Sequence, residues 1–142
     1  MKAPNKELRK WVYDKLNGNV FGITGVSGII PVKSVPGKDQ SFPFIWLGNI
    51  SVEDESTKDS YITRATMQIN VESLFADENA SFNQVEEISD KIFGLLIDVK
   101  GDTTSFEIVI SRFVSSQESF EQTETGKEIS NQINIEFLIE EL

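Results

Sequence analysis

The sequence of 142 residues is 39% hydrophobic and 25% charged, which is the profile of a globular domain with its own core. It contains no histidine and no cysteine, so a histidine-dependent triad, a His- or Cys-ligated metal site and a disulfide are excluded. Its formal net charge of −10 at pH 7 disfavours binding to nucleic acid phosphates or anionic membranes. We expect one domain, residues 1–142, that is soluble in a reducing compartment.

The N-terminal segment has the spacing of an amphipathic helix. Its apolar residues recur at intervals of three and four, and they are Leu8, Trp11, Val12 and Leu16. This spacing predicts a helix over residues 5–17 with Asn5 as its N-cap. A glycine-containing connection and a strand over residues 29–35 follow, and residues 36–40 have the composition of a turn.

Two strands are predicted in the middle of the chain. Residues 42–52 are apolar on both faces at their start, which is typical of a covered strand. Residues 63–74 alternate between apolar and polar side chains, so one face of this strand is expected to be buried. The polar residues 53–60 between the two strands predict a loop.

The C-terminal half predicts a second helix and two further strands. Ser81 and Gln84 have the spacing of a capping box, and a strong apolar periodicity of three and four continues to residue 99. Strands are predicted over residues 105–114 and 132–139, with a polar loop over residues 115–128 between them.

The order helix, three strands, helix, two strands indicates an α+β fold, because strands in runs favour antiparallel pairing. We therefore predict an antiparallel β-sheet of about four to five strands, with two amphipathic helices packed on one face.

Carboxylates are the abundant reactive groups, yet they do not form a recognisable site. The acidic loop at residues 53–60 lacks the alternating ligands and central glycine of a calcium loop, so it is interpreted as a solvated loop. Gly22, Gly25 and Gly28 precede a strand rather than a helix, which does not fit a phosphate-binding loop. We predict no catalytic residue, no bound cofactor and no metal site.

Arg64 and Arg112 both fall within predicted strands, where a guanidinium is usually paired with a carboxylate. Each could form an ion pair within the chain or across a subunit boundary, and the sequence leaves both alternatives open.

Several short motifs, in order along almost the whole chain, resemble the tail-terminator (tail-completion) proteins of long-tailed bacteriophages. These motifs are Ile30-Pro31-Val32, Phe42-Pro43-Phe44-Ile45-Trp46-Leu47-Gly48, Met67-Gln68-Ile69-Asn70-Val71-Glu72-Ser73, the helix from Val85 to Leu96, and Arg112 in the penultimate strand. The polar stretch over residues 115–128 departs from the family pattern.

The resemblance implies a virion protein of the tail or neck that is assembled in the host cytoplasm. Such a protein forms a homohexameric ring that caps the head-proximal end of the tail tube, stops tube polymerisation and docks to the neck. Its partners would be further copies of itself, the tail tube protein and a head-completion or neck protein, with no membrane partner. DNA would pass through the ring without specific binding.

On this hypothesis the two polar loops are candidates for contacts between subunits or with the tube. The candidate residues are Glu53, Asp54, Glu55, Lys58, Asp59, Gln117, Glu118, Phe120 and Glu121, with Arg64 and Arg112 as candidate inter-subunit ion pairs.

Four alternatives remain, of which the first is a related structural role and the others belong to different classes of function. The first is another neck component, such as a head-closure or connector-side protein. The second is an acidic DNA mimic that inhibits a DNA-binding protein, although the carboxylates are scattered among lysines. The third is a small ligand-binding module, and the fourth, an enzyme, is disfavoured because histidine and cysteine are absent.

Overall fold

The computed structural model describes residues 2–35, 37, 41–76 and 80–142. Within these residues the chain forms two helices and six strands. They are α1 (Asn5–Leu16), β1 (Val32–Lys33), β2 (Phe44–Asp54), β3 (Ile62–Phe75), α2 (Asn83–Leu96), β4 (Gly101–Asp102), β5 (Phe106–Thr123) and β6 (Gly126–Glu141). The turn predicted for residues 36–40 falls almost entirely outside the described residues.

The strands form a single mixed sheet in the order β1-β2-β3-β6-β5-β4, which curls into a half-barrel. β1 runs parallel to β2, and the other neighbouring strands are antiparallel. The α+β class is therefore right, but the prediction of a four- to five-stranded antiparallel sheet is wrong. The strand that was not predicted is β4, whose two residues are too short to show a periodicity of two, and the strand predicted over residues 29–35 is reduced to β1, which pairs parallel to β2.

One face of the sheet, here called the inner face, packs against both helices. On β3 the alternating side chains of Ala65, Met67, Ile69 and Val71 are buried on this face, and β6 contributes Ile133, Ile135, Phe137 and Ile139. The apolar stripes of α1 and α2 complete the same core, with Leu8, Val12, Leu16, Val85, Ile88, Ile92 and Leu96. Burial of these side chains, at about 25 cal/mol per Å² of apolar surface, is the main stabilising term.

In both helices the N-cap residue lies one position away from the predicted N-cap. Pro4 is the N-cap of α1 and Phe82 is the N-cap of α2, and neither makes a side-chain capping hydrogen bond. The capping box predicted at Ser81 and Gln84 is therefore wrong. Instead, the Gln84 Oε1 atom accepts a hydrogen bond of 2.6 Å from Ser73 Oγ, which joins α2 to β3.

The largest correction concerns residues 115–128, which were predicted to be a loop. They form the distal half of a long β-hairpin, in which β5 and β6 pair from Phe106 opposite Glu141 to Thr123 opposite Gly126. Residues 112–122 are exposed, because the helices do not cover this end of β5. A strand that is exposed to solvent on both faces has no apolar alternation, so its sequence resembles that of a loop.

Candidate assembly surfaces

The predicted acidic loop between β2 and β3 is shorter than expected and is closed by hydrogen bonds. Glu53 and Asp54 belong to β2, opposite Arg64 and Thr63. The Asp54 carboxylate accepts a hydrogen bond of 2.9 Å from the Ser56 backbone N–H, and hydrogen bonds from Ser56 lower the pKa of Asp54. Lys58 and Asp59 lie at the exposed tip of this turn, where they remain a predicted contact site.

Arg64 and Arg112 converge on one carboxylate on the outer face of the sheet. The Arg112 Nε atom lies 2.8 Å from Glu136 Oε1, and the Arg64 Nε atom lies 3.6 Å from the same oxygen. A terminal nitrogen of Arg64 also lies 3.0 Å from Glu55 Oε1. Both arginines thus have a carboxylate partner within the chain, and their pairing across a subunit boundary stays a prediction.

The side of β5 that faces away from β6 over residues 112–123 is here called the β5 edge. Among the described residues, β4 pairs with β5 only at Glu107 and Ile108, so no strand covers this edge. Three apolar side chains lie along it, with Phe113 46%, Val114 48% and Phe120 54% exposed. A long strand edge with exposed apolar side chains is a template for pairing with another chain.

Acidic side chains accompany the aromatic ones on the hairpin. Glu118 and Phe120 lie opposite Asn131 and Ile129 of β6, on the inner face. Desolvation and the neighbouring Glu86 carboxylate at the start of α2 raise the pKa of Glu118. The inner side of the hairpin therefore carries negative charge beside exposed apolar surface.

The outer side of the same hairpin carries Gln117 and Glu121. Gln117 lies opposite Gln132, and Glu121 lies opposite Glu128, so two like charges face each other across the strands. Such a pair is destabilising by a few tenths of a kcal/mol up to about 1 kcal/mol.

A buried serine fixes β5 relative to α2. The Ser111 hydroxyl is fully buried, donates to the Leu96 carbonyl at the end of α2 and accepts a hydrogen bond of 3.1 Å from the Val99 backbone N–H. Beside it, the rings of Phe93 and Phe113 meet edge to face with centroids 5.4 Å apart. These contacts hold the root of the hairpin on the folded core.

A second exposed apolar pair lies near β1, at the opposite end of the sheet. Phe21 and Ile29 form an isolated antiparallel bridge, and each is 56% exposed. The adjacent Val20 and Ile30 are buried, so the bridge is anchored to the core. We call Phe21 and Ile29 the Phe21 patch. The sequence does not predict it, because no local periodicity connects Phe21 with Ile29.

The described residues include an open cleft beside Trp11 but no cluster of metal-ligating side chains. They contain no group of three or more acidic side chains arranged to hold a metal ion. The cleft beside Trp11, between α1 and β4, has a volume of about 440 Å³ and is open, with Glu7, Lys10, Asp14 and Asp102 in its walls. Trp11 itself packs edge to face on Phe137 at 6.1 Å, as a core residue does. In this part of the chain, no helix has the length and apolarity needed to cross a bilayer.

The arrangement defines an α+β half-barrel with exposed apolar side chains near both edges of its sheet. A chain of one solved structure, the virion of a native gene transfer agent particle, has the same fold. The two chains align with a TM-score of 0.77 over 99% of each chain, at 16% sequence identity. No protein-family model matches the sequence, and no curated protein sequence does either.

Proposed function

We propose that this protein is a structural component of a virion, and specifically a tail terminator. In this role it forms a homohexameric ring on the head-proximal end of the tail tube, stops tube polymerisation and presents the surface to which the neck of the head docks. The function is binding rather than catalysis. Its partners are further copies of the chain, the tail tube protein and a head-completion protein, and its location is the tail or neck of the virion.

The observation that carries the proposal is the full-length structural likeness to a chain of an assembled virion particle. The likeness covers 99% of each chain, so it concerns the overall fold rather than a shared motif. The order of motifs along the sequence supports the finer assignment to the tail terminus, since it resembles that family from Ile30 to Arg112.

The exposed hairpin also supports a role in assembly. A β5 edge with Phe113, Val114 and Phe120 on its surface is a liability for a protein that works as a monomer. In a ring the same edge is repeated in every subunit, and repeated modest contacts give an avidity that one contact lacks.

Electron microscopy of particles assembled without this gene tests the proposal. A terminator predicts tail tubes of abnormal length together with DNA-filled heads that lack tails. Complementation with the wild-type gene should restore tails of uniform length, which controls for effects on neighbouring genes.

The other outcomes select the alternatives. Tails of normal length beside unjoined heads would assign the protein to the head side of the neck. Normal virions would contradict any assembly role and favour the acidic DNA mimic, which could then be tested by binding to purified DNA-binding proteins.

A further inference from the structure

We propose that the β5 edge of one copy docks on the Phe21 patch of the next copy, in a head-to-tail contact that repeats around a ring. The inference rests on the proposed self-assembly and specifies the two surfaces that meet. Head-to-tail rings require two different, mutually complementary patches on each subunit. The described part of the chain presents two such patches at opposite ends of one sheet.

Both patches are apolar, exposed and firmly supported. Phe120 lies opposite the buried Ile129, and the bridge of the Phe21 patch follows the buried Val20. Because each patch stands on core residues, docking requires little ordering of the backbone. Interfaces formed by preordered aromatic side chains lose less conformational entropy on binding.

The two patches also lie at the same position along the strand direction of the sheet. Phe120 is opposite Ile129, and Ile129 is opposite Ser73. Extending the β3–β2 register by one residue, and then the β2–β1 register by two residues, leads from Ser73 to Ile30. Ile30 adjoins the Phe21 patch. Copies related by a rotation about one axis, without a shift along it, would therefore bring the patches level, as a closed ring requires.

Charge makes the contact directional. Residues 113–126 contain three glutamates and neither lysine nor arginine, which gives this stretch a charge of −3. Residues 15–35 contain two lysines and no acidic side chain, which gives a charge of +2. Pairing these two stretches brings opposite charges together, whereas pairing the hairpin stretch with itself brings like charges together, even though Glu87 of α2 lies 2.9 Å from Thr24 within the second stretch.

The test uses two full-length variants that each remove one patch. Phe120→Glu places a charge on the β5 edge, and Phe21→Glu places one on the patch. Each variant alone should weaken association of the purified protein about 10-fold or more, measured by analytical ultracentrifugation. Tyr61→Glu is the matched control, because Tyr61 is equally exposed at 56% and lies on neither patch.

Mixing the two variants gives the sharper result. One intact β5 edge and one intact Phe21 patch remain between them, so an equimolar mixture should form dimers and nothing larger. Association of both variants as strong as that of wild type would overturn this interface and leave the terminator proposal standing. A wild-type chain that stays monomeric at every concentration would contradict self-assembly, and the interface with it.

A cross-linking experiment covers the case in which a variant misfolds. The chain is free of cysteine, so Gln122→Cys together with Ile29→Cys introduces one unambiguous pair. The two positions are separated by four inter-strand spacings, about 19 Å along the curved sheet, so a bond within one chain is disfavoured. Oxidation should give a ladder of linked copies, whereas Gln122→Cys with Tyr61→Cys should not. Absence of the ladder in an oligomeric sample would overturn the proposal.

Discussion

The side chains of Arg112 and Glu136 meet across the β5–β6 pair, with 2.8 Å between Nε and Oε1. Glu136 is the less exposed partner, at 15% against 63% for Arg112, and it also faces Arg64. The glutamate is thus the common anion of two guanidinium groups.

This relationship predicts unequal effects of removing either partner. Arg112→Ala should cost less than about 1 kcal/mol, because an exposed ion pair contributes little. Glu136→Ala should cost on the order of 1–3 kcal/mol, because it leaves two guanidinium groups close together without the carboxylate that neutralises them. Urea unfolding of both variants measures the difference, and equal losses would show that Arg64 does not depend on Glu136.

Ser111 predicts a second effect on stability. Ser111→Ala leaves the Val99 N–H and the Leu96 carbonyl without their buried partner, which should cost about 1–3 kcal/mol. Ser116→Ala on the same strand is the control, since Ser116 is exposed and should change stability by less than about 0.5 kcal/mol. If the thermal melting curves of the two variants coincide, the hydrogen bonds of Ser111 do not stabilise the packing of α2 on β5.

Gly126 predicts a third effect, located at the hairpin turn. Its φ is +149°, and a Cβ atom at this position would lie 2.3 Å from the Phe75 carbonyl oxygen. Gly126→Ala should therefore destabilise the protein by roughly 1–3 kcal/mol, since backbone must move to make room.

The control for Gly126 is a glycine in a regular helix with open space around it. Gly94 in α2 meets this condition, and Gly94→Ala should stabilise the protein by up to about 1 kcal/mol. Chemical denaturation of both variants should thus show shifts of opposite sign. Shifts of the same sign would mean that the hairpin turn relaxes without cost.

Glu72 predicts a dependence on pH. Desolvation raises its pKa above the ordinary value of 4.5, although a 3.2 Å hydrogen bond from Trp46 Nε1 partly offsets the rise. The folded state therefore binds this proton more tightly than the unfolded state does. The resulting stability is fully present below pH 4.5 and is lost as the pH rises through the raised value.

Glu72→Gln should remove this dependence while keeping an acceptor for Trp46. At pH 7 the variant should melt about 1–2 °C higher than wild type, and the difference should vanish near pH 4. Glu53→Gln, which loses a carboxylate opposite Arg64, should show no such gain at pH 7. A constant difference across the pH range would contradict the assignment to Glu72.

The sequence predicted those elements that bury one face. The alternation from Ala65 to Val71 and the stripe from Val85 to Leu96 reflect the core directly, so β3 and α2 were located within three residues. The distal hairpin could not be found in this way, because residues 112–122 of β5 are exposed on both faces and show no apolar alternation. Its pairing depends on β6, which lies beside it in space and carries the periodic signal.

The candidate surfaces could likewise be predicted only in part from local sequence periodicity. Phe120 was predicted to be a contact residue in a polar loop, and the structure places it on an exposed strand. Phe21 was not predicted to be exposed, because the sequence does not distinguish it from its buried neighbour Val20. Which of two adjacent apolar residues faces solvent is decided by the bridge to Ile29, a contact between residues that no local period connects.

The pairing of β6 has a mechanical consequence. β6 is hydrogen-bonded to β3 on one side and to β5 on the other along nearly its entire length, from Lys127 to Glu140. A pull along the hairpin axis, applied near Gly126, would load these two ladders in parallel rather than open them one hydrogen bond at a time. The hairpin is therefore mechanically stiff, and a force applied at its tip is transmitted directly to the centre of the sheet.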